Sequence, residues 1–147
     1  MYATKSGATR ECAQLLAAGI ADCSIWDLSK HIPDIEEADT VIVGSGIRMG
    51  KLYKSARKFI DDNLGMLLEK NTAFYLCNAY PDTLKKTIQN SIPEILAKKT
   101  VFMGSFGGIP PFTSPKNQEW IQMEQINALV RAVTTMAPLT SNDNIIC

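Results

Sequence analysis

The sequence predicts an α/β protein built on a doubly wound parallel sheet of five strands. Three observations carry that expectation. Short apolar runs such as Thr40-Val41-Ile42-Val43 show no polar alternation, as strands buried on both faces require. Longer segments with apolar residues at helical spacing alternate with those runs along the chain. The 147 residues contain no repeat, linker or low-complexity stretch, which suits a single domain over residues 1–147.

The first helical pattern covers about residues 9–20, where Cys12, Ala13, Leu16, Ala17 and Ile20 share one face. Ser24-Ile25-Trp26 is a brief extended run. Ile32, Ile35 and Ala38 allow one or two packed turns within residues 31–39. Residues 40–43 are the clearest strand, closed by Gly44. Over residues 53–68 helical spacing returns through Ala56, Phe59, Ile60, Leu64, Leu67 and Leu68, with Gly65 as the expected division. Residues 73–77 read as another buried strand. Leu84, Ile88, Ile92, Ile95 and Leu96 mark a helix that Pro93 breaks, because proline lacks a backbone donor; Ser91 or Ile92 then lies near the cap of a second turn. Residues 101–103 are the next strand, and a Gly/Pro-rich loop occupies residues 104–115. The last helix buries Trp120, Met123, Ile126, Leu129, Val130 and Val133.

Composition narrows the function. Fifteen basic and fifteen acidic residues cancel, so no long-range field favours nucleic acid or an anionic membrane. No apolar run approaches the ~18 residues of a membrane span, and MYATKSGATR does not read as a signal peptide. Cys12, Cys23, Cys77 and Cys147 are widely spaced and His31 stands alone. That pattern offers no zinc site and suits the reduced thiols of a cytoplasmic protein better than a disulfide frame. A thiol phosphatase needs an arginine six residues after its cysteine, where this chain has Ala18, Ser29 and Thr83. With His31 expected at the surface, no nucleophile–base system is expected.

In a parallel sheet, ligands bind beyond the carboxyl ends of the strands. Thr4, Lys5, Ser6, Gly7, Ala8 and Thr9 run directly into the first helix, where backbone N–H groups and hydroxyls can surround a phosphate. The same residues would also serve a plainly capped helix, with Ser6 or Thr9 as the cap. The segment from Gly44 through Ser45, Gly46, Ile47, Arg48, Met49, Gly50 and Lys51 nearly matches two nucleotide motifs and satisfies neither. Its three glycines imply backbone that something approaches closely, or a positive φ. Asn78, Ala79, Tyr80, Pro81 and Asp82 add an amide, an aromatic ring and a carboxylate before a helix.

Together these segments resemble the flavodoxin family. Residues 2–9 look like its T-x-[ST]-G-x-T phosphate loop. Residues 41–50 and 73–78 resemble the strands and flavin-contacting loop of the subgroup that includes the menaquinone-dependent protoporphyrinogen oxidases. The resemblance reaches about Val133. It implies strand order 2-1-3-4-5 with FMN at the switch between strands 1 and 3, the arrangement for which flavodoxin is a standard example. Thr4, Lys5, Ser6, Gly7, Ala8 and Thr9 would hold the phosphate. Ser45, Gly46, Ile47, Arg48, Met49 and Gly50 would line the flavin ring with Asn78, Ala79 and Tyr80, and Asp82 would stand nearby. The implied protein is a cytoplasmic FMN redox protein that exchanges electrons with a separate partner, as a monomer or a homodimer. The alternatives are a protoporphyrinogen-type flavin oxidase and a flavin-free binding domain of the same fold. Arg48 is expected at the pyrimidine edge of the ring, where its charge would raise the reduction potential.

Three features differ from the family pattern. The chain is neutral where electron-carrying flavodoxins are strongly acidic. Residues 104–116 are short and hold one lysine, where the oxidases carry a long basic and aromatic insert. Only Met1, Tyr2 and Ala3 precede the phosphate loop, and three residues span about 10 Å against about 17–20 Å for a usual strand. The first strand is therefore shortened, and the expectation is a natural start several residues upstream. The other candidate for the gap is the apolar tail Asn144-Ile145-Ile146-Cys147.

Overall fold

The central strand, β2 (Thr40–Arg48), alternates its side chains between two cores. Val41 and Val43 point into one and Ile42 into the other, all essentially without exposure. The computed structural model describes residues 1–110, 113, 117–136 and 144–147, so much of the expected 104–115 loop lies outside the described residues. β4 (Asn71–Cys77) runs parallel to β2 from the pair Thr40↔Asn71 to Gly46↔Cys77, and β5 (Phe102–Ser105) runs parallel to β4. One face is covered by α2 (Lys54–Asp62), α3 (Leu64–Glu69), α4 (Leu84–Gln89) and α5 (Glu94–Ala97), through Phe59, Ile60, Leu67 and Leu96 among others. The other is covered by α1 (Ala8–Ala18) and α6 (Met123–Met136), through Cys12, Leu16, Ile126 and Leu129.

The place of the first strand is shared by the two ends of the chain. β1 (Tyr2–Ala3) pairs with Gly44 and Ser45, while β6 (Ile145–Ile146) pairs with Thr40 and Val41 on the same edge of β2, both in parallel. The Met1 nitrogen donates to the Ile42 carbonyl at 2.8 Å and the Gly44 N–H to the Met1 carbonyl at 2.8 Å, so the ladder continues between the two pieces. The tail thus occupies the place beside β2 that residues 1–3 leave open. Ile145 enters one core and Ile146 the other, as neighbours on a strand must. Outside this composite strand, residues 24–28 form single bridges at Ser24↔Ile146 and Tyr2↔Asp27. The sheet therefore keeps the order 2-1-3-4-5, with strands 1 and 2 reduced.

Several local expectations shift. Among residues 31–39 there is no helix; Ile35 and Ala38 pack inward but Ile32 is half exposed. His31 lies at the surface with its ring 5.0 Å from that of Trp26. The α2–α3 division falls at Asn63, whose side chain donates to the Phe59 carbonyl at 2.9 Å, while Gly65 lies inside α3. The break falls at Pro93 as expected, but Pro93 itself, not Ser91 or Ile92, is the N-cap of α5, a position where a missing donor costs nothing. Cys23 and Cys147 form a disulfide, where four reduced thiols were expected. It fastens the inserted tail to the neighbouring segment, beside the bond from the Cys147 N–H to the Ser24 carbonyl at 2.9 Å.

Candidate functional site

β2 does not stop at Gly44. It continues to Arg48, because β4 pairs with it as far as Gly46, and then reverses through Met49 and Gly50. Both turn residues have positive φ, 53° and 70°, and β3 (Lys51–Leu52) returns antiparallel with Ile47↔Leu52 and Arg48↔Lys51. The expected loop is a strand end with a two-residue hairpin, a turn whose left-handed positions suit the strand twist. Ser45 is buried beneath it, donating to the Gly46 carbonyl at 2.7 Å and accepting from the Tyr53 N–H at 3.1 Å. At Gly44 and Gly46 the close approach that the glycines imply is made from within the protein, though Gly46 also lines the cleft described below. They admit tyrosine rings: a Cβ at Gly44 would lie 1.9 Å from Tyr75, and one at Gly46 would lie 2.5 Å from Tyr53.

The Thr4–Thr9 segment turns at Gly7, with φ 91°, where the Gly7 N–H donates to Thr4 Oγ1 at 3.0 Å. Gly7 is the N-cap of α1 and no side chain caps the helix, so the reading with Ser6 or Thr9 as a cap does not hold. The N–H groups of the first turn are therefore left without a side-chain acceptor, as an anion site needs. On the opposite wall, buried Asn78 braces its own loop. Its Nδ2 donates to the Tyr80 carbonyl at 2.8 Å and to Thr83 Oγ1 at 3.1 Å, and its Oδ1 accepts from the Tyr80 N–H at 2.9 Å.

These walls enclose one cleft of about 460 Å³, within the ~300–1,000 Å³ usual for small-molecule sites. Ser6, Ala8, Thr9, Gly46, Ile47, Arg48, Met49, Gly50, Asn78, Ala79 and Tyr80 line it, as does Thr83. Gly7 and Ser45 shape the walls from beneath, and Thr4 and Lys5 face a second, adjoining cleft. Asp82 stands exposed on the 3-10 turn Pro81–Thr83 and is not brought to the cleft; its neighbour Thr83 is. Tyr53, Cys77 and Ile109 also line it and were not anticipated. Only the pairing of Tyr53 against a glycine seven residues earlier could have signalled the first.

The floor of the cleft carries no fixed charge. Burial pushes the Tyr53 phenol up, with Cys77 adding and Arg48 opposing. Cys77 Sγ lies 3.7 Å from Cys12 Sγ, and that hydrogen bond, then burial, drives the Cys12 thiol far above its usual range. Arg48, exposed at the rim, makes no ion pair among the described residues.

A profile of the flavodoxin domain matches residues 1–111. The chain belongs to the flavodoxin family. The expected function, a flavodoxin-like redox protein working through a bound flavin, stands with that membership. Protoporphyrinogen IX dehydrogenase (quinone) of Escherichia coli (strain K12) is 29% identical over 83 residues, 53% of this chain and 46% of that protein. The match thus spans about half the length of the curated relative. Among solved structures, flavodoxin 1 of Bacillus cereus superposes with a TM-score of 0.57 at 19% identity, over 92% of this chain and 96% of that one. Fusobacterium nucleatum flavodoxin bound to flavin mononucleotide gives 0.54 at 12% identity, over 93% and 96%. The rubredoxin oxygen:oxidoreductase of Desulfovibrio gigas gives 0.55 at 13%, over 92% of this chain and 33% of that one. At these identities the structures establish the shared flavodoxin fold.

Proposed function

We propose that the cleft holds FMN, and that the chain carries electrons through it between a reductant and an oxidant of other origin. The observation that carries this reading is the meeting of an uncapped, glycine-turned helix start with two braced loops around one cleft. The residues present fit the group. Free N–H groups, Ser6 and Thr9 suit a phosphate dianion. Met49 and Tyr80, exposed by 91% and 57%, both line the cleft and offer apolar surface to a flat ring. Bound flavin would supply one- and two-electron redox chemistry. The chain's own part is to bind, orient and shield: Asn78 holds the Tyr80 loop in shape, and Ser45 locks the hairpin to Tyr53.

A single phosphate loop in 147 residues argues for FMN over FAD. Mass spectrometry of the cofactor released from purified protein, or taken up by apoprotein, should recover FMN; recovery of FAD, or failure to bind added FMN, rejects the assignment. Arg48 at the rim should raise the flavin's reduction potential. Two unit charges ~4 Å apart interact by roughly 4 kcal/mol at an effective dielectric near 20, and solvent at the exposed rim leaves only part of that. Arg48→Met should therefore lower the potential in a spectroelectrochemical titration, and an unchanged or higher value removes Arg48 from this role.

The 83-residue match favours one second reading, a protoporphyrinogen-type flavin dehydrogenase, which turnover of protoporphyrinogen by the loaded protein would separate from electron carrying. No helix among the described residues is long and apolar enough to cross a membrane. Cytoplasmic placement is part of the same proposal, and cell fractionation tests it.

A further inference from the structure

A second cleft of about 460 Å³ adjoins the first, sharing Arg48, Met49 and Tyr53 with it. Lys5, Arg48, Lys51, Lys54 and Arg57 line it, and none of its lining residues is acidic. In a chain of zero net charge, five cations around one concavity is a local excess with no global cause. Elsewhere three lysines pair locally with a carboxylate, the loosest being Lys30 with Asp27 at 3.9 Å. On α2 itself Lys58 meets Asp62 at 2.6 Å, and Lys98 meets Glu94 at the same distance. The five cleft cations have no carboxylate partner among the described residues.

Their placement also runs against helix stability. Lys54 opens α2, whose first turn holds no acidic residue and no side-chain cap, so a positive charge sits at the positive end of the helix dipole. Two of the cations are held in position. Arg57 Nε donates to the Leu52 carbonyl at 3.1 Å, and Lys5 Nζ lies 5.9 Å from the centre of the Tyr53 ring. Ser55 adds a hydroxyl to the same lining, while the Ser29 hydroxyl is already donated to Asp27 Oδ1 at 2.6 Å. Such a concavity offers many donors and few acceptors.

The geometry points to a binding site for a small molecule bearing two or more carboxylate or phosphate groups, seated beside the flavin cleft. The anion site stands on this cleft alone; only its effect on the flavin rests on the FMN reading. Because Arg48 faces both clefts, an anion bound here offsets the positive charge at the flavin's edge. Occupancy then lowers the flavin's reduction potential, and by reciprocity reduction of the flavin weakens anion binding.

The test is calorimetric titration of the FMN-loaded protein and of the flavin-free protein with two probes, inorganic pyrophosphate and benzene-1,2,4,5-tetracarboxylate, at low and high salt. At least one probe should bind, weaken as salt screens the cations, and leave FMN in place. Its identity tells phosphate from carboxylate preference. The double variant Lys51→Gln/Lys54→Gln should raise that probe's Kd about tenfold or more, with FMN affinity and helical circular dichroism unchanged. Binding in the flavin-free protein, in a preparation that never takes up FMN, would support the anion site while defeating the FMN reading. No binding of either probe, binding unaltered in the double variant, or release of FMN by the probe overturns the site. Probe binding that leaves the flavin's potential unchanged overturns its coupling to the flavin.

Discussion

Deleting residues 144–147 should cost about 4–6 kcal/mol of stability under reducing conditions, and near-complete unfolding at 37 °C is the expected outcome if the total lies at the low end of the usual ~5–15 kcal/mol. Ile145 and Ile146 are 5% and 6% exposed, and each fully buried aliphatic side chain contributes roughly 1.5–3 kcal/mol. The Asn144 carbonyl also accepts the Asp39 N–H at 3.0 Å and the Thr40 N–H at 3.4 Å, so the first turn of the ladder beside β2 would lose its partner. Reducing conditions open the Cys23–Cys147 bond of the full chain, a bond the deletion variant lacks in any case, leaving packing and the ladder to be compared. Urea denaturation followed by circular dichroism measures the difference. A midpoint equal to that of the full chain would show that the tail is an ornament of the sheet rather than part of it.

Gly44→Ala should lower stability by about 1–3 kcal/mol and weaken FMN binding about tenfold or more. The added methyl would stand 1.9 Å from Cζ of Tyr75, a ring without room to retreat: it is 1% exposed and stacks on Phe106 with centroids 4.5 Å apart. Burial holds the Tyr75 phenol protonated, and its hydroxyl donates to the Thr9 carbonyl at 3.5 Å. A ring pushed from Gly44 therefore pushes on the turn proposed to bind phosphate. Tyr75→Leu in the same background removes the clashing atoms and should restore part of the stability but not the affinity. Thermal melts and FMN fluorescence quenching read the two effects. Wild-type values for the single variant would mean that the sheet yields at Gly44 without disturbing the site.

Much of this architecture is legible along the chain. The β-branched run of residues 40–43 and the helical spacing of Cys12, Ala13 and Leu16 report burial that each segment meets locally, whatever it packs against. The phosphate-loop segment is legible for the same reason: a glycine turn at a helix start is a property of consecutive residues. Gly44, Gly46 and Gly50 were rightly marked as places where a side chain is not tolerated. The reason differs at each, and two of the three reasons are tyrosines, 31 residues away at Tyr75 and seven away at Tyr53. Asp82 and Thr83 illustrate the limit within a loop, since adjacent residues at a helix start look equivalent until Asn78 selects the hydroxyl of Thr83 as its partner.

By itself the sequence determined the alternation of strands and helices, the faces they bury and the segments that end at the ligand edge of the sheet, because periodicity and turn chemistry act over a few residues. The tertiary structure alone decided that residues 1–3 and 145–146 share one strand position, that Cys23 meets Cys147 and Cys12 meets Cys77, and that five cations converge beside the candidate flavin cleft. Those are contacts between residues as much as 124 positions apart, and no local preference encodes them. They follow from the backbone hydrogen bonds that β2 must satisfy along its whole edge, and the chain satisfies them with whichever apolar segment the closed sheet brings within reach.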